Sequence, residues 1–447
     1  MVKYNYNQSW IGETKMKKIK RILSVFLSAA FIASVFCCGF PTASALEDSG
    51  FTYTVENGEA TITGPSGDVS GEITIPSQIG GYPVTAIGEE AFYYIGDITK
   101  VTVSEGVKII GASAFYGCNE ITDISLPSSL IKIEMYAFAD TAITQMSLPA
   151  NVKEVGSGIF SGTKIASFTF PEYMTVIPAF MFASCEKLTS IEIPESITTI
   201  GMSAFEFSGL TAIKIPSSVT LIDESAFTEC ANLKSAEIYG NITDINMSLF
   251  MDCCELESVI IPDSVKRIHE TAFARCRKLK NITLPKNLEY IGFYAFDQCV
   301  GLESVVIPDG TTEIFENAFI ECNSLKSVVI PESVTKIGPD AFCSVIRGDN
   351  VTYIPIEGLT VYAVPSSVAE TYAVQNNIAH DRLANYYPKG DIDFDEQLTS
   401  IDLLLLQQHI LGQSTLSGEK LYAAHISGED SIGSNDLLKL QQMILGM

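Results

Sequence analysis

Hydrophobic positions along this chain recur with a period much longer than that of a helix or a strand. Phe stands at 92, 115, 138, 160, 182, 205, 227, 250, 273, 296, 319 and 342, so successive copies are 22 or 23 residues apart, and nine of the twelve follow Ala. Pro keeps step at 127, 149, 171, 194, 216, 262, 285, 308 and 331, with Tyr239 in the one gap. The most regular unit runs from Cys276 through Leu279, Ile282, Leu284 and Pro285 to Leu288, Ile291, Ala295 and Phe296. Ile282 and Leu284 alternate with the period of a strand, and Pro285, which has no N–H to donate, ends it. One such unit cannot bury its own apolar positions, so neighbouring turns must stack around a continuous core. The pattern predicts a repeat coil over 81–380. Residues 46–80 depart from the period and read as its N-terminal cap. A C-terminal cap starts near 350, with a strand at Val361–Pro365 and a helix over Ala369–Ile378.

The Phe and Pro registers, together with the recurring Ala-Phe-x-x-Cys step, resemble the BspA-like (treponemal-type) leucine-rich repeats of bacterial surface and secreted proteins. The resemblance implies an α/β repeat solenoid, a right-handed coil with a parallel β-sheet on its concave face. It also implies adhesion and protein or host-surface binding, without naming a ligand, because fold does not determine function. The outward position between the two apolar residues of each strand runs Thr102, Ser125, Ser147, Thr169, Glu192, Lys214, Glu237, Ile260, Thr283, Val306, Val329. One reading is a ladder of good strand formers. The other is a binding strip for protein or glycan, formed by Glu192, Lys214, Glu237, Ile260, Thr283, Val306 and Val329, with its apolar members facing solvent.

Of eleven Cys, nine follow residue 45, and seven of those sit three residues after a repeat Phe. An odd number cannot be fully paired. Buried free thiols and bridges between adjacent turns are both compatible with the spacing. The absence of a C-x-x-C pair counts against a metal site in this column.

Upstream of the repeats, Lys15, Lys17, Lys18, Lys20 and Arg21 precede an apolar stretch, Ile22–Phe40, and then Ala43-Ser44-Ala45. That order is the grammar of a secretory signal peptide over 1–45, with Met16 as an alternative start. A retained anchor is the other reading of the apolar run. Cleavage removes six basic residues and one acidic residue, taking the net charge from −25 to −30. The expected product is secreted and not inserted in a membrane, and its charge repels nucleic acid and anionic lipid. With 47% hydrophobic and 18% charged residues the chain is core-forming rather than disordered. Its one Trp, Trp10, lies in the leader. The mature chain therefore lacks the preferred platform for stacking on sugars, although Tyr can substitute.

Beyond a linker at 381–389, residues 390–447 carry a second repeat with an offset of 34. Asp402–Gly412 and Asp436–Gly446 differ only at Leu405/Lys439 and His409/Met443. Each copy reads as an amphipathic helix behind a polar loop. In the first loop Asp391, Asp393, Asp395, Gln397, Thr399 and Asp402 place oxygen donors at positions 1, 3, 5, 7, 9 and 12. This is the spacing with which a twelve-residue loop wraps Ca²⁺; Gln397 would offer its backbone carbonyl, and Thr399 a hydroxyl or a water. An acidic helix entrance favoured by the helix dipole is the alternative. Glu396 stands where such a loop usually has Gly. The second loop offers His425, Ser427, Glu429, Ser431 and Asp436, with neutral donors in place of Asp at positions 1 and 3, and should bind more weakly.

A duplicated loop and helix with Asp at position 12 and a terminal Ile-Leu-Gly resembles a type I-like dockerin, a small all-α calcium-binding module. The resemblance implies a cohesin of a scaffoldin as partner, in a cellulosome or a related cell-surface complex. Its recognition positions fall on Ser400, Ile401, Gln407 and Gln408, and on Ser434, Asn435, Gln441 and Gln442 in the second copy. The near-identity of the copies implies two related docking orientations, which the poorer second loop opposes. The chain is thus expected to be a secreted, non-catalytic binding protein. A free-standing adhesin is one alternative. A polysaccharide-degrading enzyme is another, since dockerins usually carry such cargo. Against an enzyme, His269, His380, His409 and His425 are scattered and lie outside any H-E-x-x-H or G-x-S-x-G context.

Overall fold

The computed structural model describes residues 46–347, 351–395, 397–416, 418–424, 426–427 and 432–446. The leader expected over 1–45 lies outside the described residues, as do His425, Glu429 and Ser431 of the second loop.

The repeats form a parallel β-solenoid of about 14 turns with few helices. Most turns contribute to two ladders. The first uses the expected strand position and runs in three stretches. These are Gly71–Ile75 with Ile98–Val103 and Asp123–Ser125; Ala212–Ile215 with Ser235–Ile238 and Ser258–Ile260; and Ser304–Val306 with Ser327–Ile330, Thr360–Ala363 and Ala379–Arg382. The register sets Glu237 between Lys214 and Ile260, and Val329 between Val306 and Tyr362. The second ladder is built from two-residue strands such as Asp244–Ile245, Arg267–Ile268, Tyr290–Ile291 and Glu313–Ile314. It was not foreseen, because two residues are too few for alternation to register as a strand. Between the ladders the repeat Pro opens a turn: its carbonyl accepts from the N–H three residues on, as with Leu288 N to Pro285 O at 3.0 Å.

All twelve repeat Phe are fully buried. Successive rings stack at centroid separations from 4.9 Å (Phe296–Phe319) to 6.2 Å (Phe115–Phe138). Each is worth roughly 1.5–3 kcal/mol of burial, so the column forms the spine of the core. The backbone on either side of each ring from Phe92 to Phe319 is left-handed, and mostly without Gly. Ser225 (φ 58°) and Glu229 (φ 56°) flank Phe227, and Thr271 (φ 55°) and Arg275 (φ 62°) flank Phe273. A side chain in that region costs on the order of 1–2 kcal/mol. The stacking offsets this, because most of these N–H groups donate to the next turn, as Ser225 does to Met247 O at 3.0 Å and Glu229 to Met251 O at 2.7 Å.

The cysteine column consists of free thiols. Each of the seven in register donates to the carbonyl of the preceding turn's Phe, from Cys118 to Phe92 O at 2.9 Å through Cys253 to Phe227 O at 3.2 Å to Cys322 to Phe296 O at 3.1 Å. Thr141, Thr163 and Ser208 fill the same register in three inner turns that lack Cys, and Ile95 fills it in the first turn. Thr163 and Ser208 contact the next Cys at 3.4 and 3.3 Å. The position therefore takes a small buried donor rather than merely a small apolar group. Burial pushes the Cys185 and Cys230 thiols up to about 12, the range of inert rather than reactive cysteines.

The N-terminal cap is an antiparallel ribbon, Leu46–Asp48, Phe51–Glu56 and Glu59–Pro65, and Gly71–Ile75 already belongs to the first ladder. At the other end an antiparallel hairpin, Cys343–Arg347 with Val351–Pro355, precedes helix α1 (Val368–Gln375). Tyr372 of α1 meets Phe342 edge to face at 6.1 Å and closes the Phe spine. The segment expected as a linker over 381–389 is not one: it completes the last strand, Ala379–Arg382, and continues as a 3₁₀ turn, Leu383–Asn385. The terminal module follows, with helices α2 (Ser400–Ile410), α3 (Gly418–Ala424) and α4 (Ser434–Ile444). Its small core joins Ile392, Leu406, Leu416, Ala424, Ile426 and Leu440. Two pairs in it, Ile392/Ile426 and Leu406/Leu440, carry the offset of 34.

Candidate metal centre and recognition surfaces

In the first loop Asp391, Asp393 and Asp395 converge, each offering a carboxylate oxygen within 4.8 Å of the others. Local backbone bonds set this geometry. Asp391 Oδ1 accepts from Phe394 N at 2.7 Å and Asp395 N at 3.2 Å, and Asp395 Oδ1 accepts from Gln397 N at 2.9 Å. Asp393 Oδ1 is buried and has no hydrogen-bond partner. Burial first, and then the charges of Asp402 and Asp395, raise the Asp393 carboxyl above its usual value. An orphaned anionic oxygen among like charges is the environment a hard divalent cation relieves, and an all-oxygen donor set suits Ca²⁺. The residues present fit the ion.

Asp402 acts differently from its neighbours. It is fully buried; Oδ1 accepts from Ile392 N at 2.7 Å and Asp393 N at 3.3 Å, and Oδ2 from Thr399 N at 2.8 Å. Thr399 caps α2 in return, its hydroxyl accepting from Ile401 N at 3.1 Å. Asp402 thus clamps both ends of the loop to the helix entrance, with lone pairs left for a cation. Asp436 repeats this clamp at an offset of 34: Ile426 N at 2.8 Å, Ser427 N at 2.7 Å and Gly433 N at 2.9 Å. Burial opposes its ionisation, but these N–H groups and the Ser427 hydroxyl outweigh that and hold the Asp436 carboxyl below its usual value. Among the described residues the second loop gathers no carboxylate cluster.

Of the positions expected to meet a partner, Ser400, Ile401, Gln407, Ser434, Asn435, Gln441 and Gln442 are exposed and Gln408 is half-buried. Four leucines that pattern reasoning assigned to the amphipathic helices without distinction share these surfaces. Leu404 and Leu438 are 50% and 55% exposed, and Leu411 and Leu445 are 61% and 63% exposed. They form two pairs at the same offset of 34, a signal present in the sequence as leucines beyond what a small core can absorb.

On the solenoid, Glu192, Lys214, Ile260 and Thr283 face solvent, and Glu237 is half-buried. Lys214 Nζ meets Glu237 at 3.2 Å, and the Tyr239 hydroxyl donates to Glu237 Oε2 at 2.7 Å. The end of the stripe departs from expectation. Val306 is half-buried and Val329 only 2% exposed, because Leu383 and Tyr387 close over them. Val329 is therefore not a solvent-facing binding residue.

Fold and site together define a repeat solenoid that ends in a duplicated loop-helix module. BspA type leucine rich repeat regions match residues 85–172, 153–253 and 243–360, more than half of the chain. The protein belongs to that family, and residues 389–445 match the dockerin type I domain. Neither kind of region is catalytic. Type I dockerins typically bind calcium, and in general they imply a cohesin partner. The chain is similar to a leucine rich cell surface protein of Faecalibacterium prausnitzii, with 28% identity, TM-score 0.52, and 74% of this chain and 98% of that one covered. A leucine-rich repeat protein of Bacteroides ovatus shares the fold at 24% identity and TM-score 0.53, covering 75% and 99% of the two chains. So does the pneumococcal vaccine antigen PcpA, at 19% identity and TM-score 0.52, covering 76% and 98%. No curated protein matches the chain. Among the described residues no helix is long and apolar enough to cross a membrane.

Proposed function

We propose that this is a secreted, non-catalytic binding protein that docks through its C-terminal module, in a calcium-dependent manner, onto a cohesin of a cellulosome-type scaffold. The observation that carries this reading is the convergence of Asp391, Asp393 and Asp395 around a buried oxygen without a partner. Bound calcium supplies the positive charge that lets the three carboxylates stay ionised together. Gln397 and Thr399 complete the donor set, while Asp402 keeps the loop closed against α2. Ser400, Ile401, Leu404, Gln407, Gln408 and Leu411 form one cohesin-facing surface. Ser434, Asn435, Leu438, Gln441, Gln442 and Leu445 form its counterpart. Apolar anchors ringed by polar side chains are the composition of a protein interface.

The repeat arm binds a protein or a glycan along the face of its first ladder, where Lys214, Glu237 and Ile260 lie, with Glu192 and Thr283 at the same repeat position in turns outside the paired stretches. An extracellular setting is supported by the family and by the cell-surface relative in Faecalibacterium. Capture by cohesins of the source organism, with calcium and with EDTA, tests the docking. The expected result is capture in calcium that is lost in EDTA and in Asp391→Ala. Failure of every such cohesin to capture the chain in calcium contradicts the reading and leaves a free-standing binding protein.

A further inference from the structure

The end of the first ladder and the calcium loop are joined by an unbroken run of contacts. Val329 lies buried with Leu383 and Tyr387, and Val306, Tyr362, Val364, Tyr386 and Phe394 pack around them. Tyr386 meets Tyr362 of the solenoid at 5.1 Å and Tyr387 at 5.2 Å. Tyr387 in turn stacks on Phe394 at 4.8 Å and 19°. Phe394 is position 4 of the first loop. It is held left-handed (φ 65°), and its N–H is bound to Asp391, a member of the carboxylate cluster. Lys420 of α3 sits 5.9 Å over the same ring.

A second bridge runs beside the first. Glu419, 5% exposed, accepts from Arg382 Nη2 at 2.8 Å and from Ala384 N at 3.0 Å. Arg382 ends the last strand of the ladder, and Glu419 belongs to α3, so an ion pair buried on its carboxylate side ties module to coil. Removing the charge of the buried Glu419 leaves its donors without an ionised acceptor.

We propose that calcium loading of the first loop and closure of the Leu383–Phe394 strap over Val306, Val329 and Tyr362 form one coupled equilibrium. This rests on the reading that the first loop binds calcium. Without the ion, Asp391, Asp393 and Asp395 repel one another, the turn that fixes Phe394 loosens, and Tyr387 loses its stacking partner. The strap then releases the apolar end of the ladder. Linkage is reciprocal, so disturbing the strap from the solenoid side must weaken calcium binding by the factor with which calcium favours closure. Calcium thereby both prepares the docking surface and fixes the direction in which the repeat arm leaves it.

The test is calcium calorimetry on the full chain, comparing wild type with Val329→Asp and Glu419→Gln, neither of which alters a cation donor. Each variant is expected to weaken calcium binding by about five- to tenfold, in the range of typical coupling between sites. In wild type, EDTA is expected to speed amide exchange at Ser327–Ile330 by a matching factor. If Val329→Asp disturbs the repeats, as circular dichroism of the coil would show, Glu419→Gln carries the comparison alone. Normal calcium heat with the same affinity in wild type and Glu419→Gln overturns the coupling and leaves the calcium site standing. No calcium heat in wild type overturns both.

Discussion

The two loop-helix copies share a skeleton and differ in their chemistry. Asp402 and Asp436 accept backbone N–H groups from equivalent residues, and the core pairs Ile392/Ile426 and Leu406/Leu440 repeat with the same offset. Among the described residues only the first copy gathers three further carboxylates. The acidic residue at position 12 therefore has a structural duty that survives where the donors at positions 1 and 3 do not. A conspicuous Asp at the head of each helix marks a closed loop. Whether a cation is needed is decided by the residues before it.

Removing the clamps gives the strongest test of this contrast. Asp402→Ala and Asp436→Ala each leave three N–H groups, one buried and two half-buried, without an acceptor and should destabilise the module by about 3 kcal/mol, at roughly 1 kcal/mol for each lost bond. Urea unfolding followed at 222 nm checks this. The Asp436→Ala loss should be the same in calcium and in EDTA. A loss from Asp402→Ala that disappears in EDTA would make that residue a ligand alone.

The recognition surfaces come next. Leu404→Ala and Leu438→Ala singly should change cohesin affinity by less than about twofold if either helix can face the partner. The double variant should lose about tenfold or more, the scale of a buried interface anchor. A full loss from one single variant shows that the copies are not interchangeable. Smaller again, Asp393→Asn should stabilise the chelated module by about 1 kcal/mol, by removing a half-buried charge that Asp402 and Asp395 repel. Ser427→Ala at the equivalent position should give no such gain.

The smallest effect is that of pH in chelator. Asp393 has a raised carboxyl pKa in the fold, so its contribution to stability is present at low pH and is lost as pH rises through that value, above the ordinary 3.8. Asp436 behaves oppositely: its pKa is lowered, so its contribution is present above 3.8 and is lost as pH falls through the lowered value. Thermal melts in EDTA from pH 4 upward should therefore show a decline in stability that is smaller in Asp393→Asn. An identical slope in the two proteins contradicts this assignment.

Much of the solenoid was legible because its spatial period is also its sequence period. Each Phe sits one turn from the next, so the spine is written directly in the spacing, as are the Pro turns. The first cation loop was legible for a related reason: its donors lie within twelve consecutive residues. Features that depend on long separations or on very short elements were hidden. Val329 reads as exposed until Leu383 and Tyr387, more than fifty residues later, fold over it. The second ladder needs only two residues per turn. The donor role of the cysteine column was available from Thr141, Thr163 and Ser208 in the same register, whose hydroxyls share hydrogen-bonding ability, not apolarity, with a thiol.

The central claim is that a cation holds the first loop's aspartates together and that no equivalent strong site exists in the second. Calcium titration calorimetry of the full chain, beside Asp391→Ala and Ser427→Ala, tests it most directly. Strong binding heat in wild type and Ser427→Ala, absent from Asp391→Ala, is the predicted result. No heat in wild type, or heat that persists in Asp391→Ala and vanishes in Ser427→Ala, contradicts it.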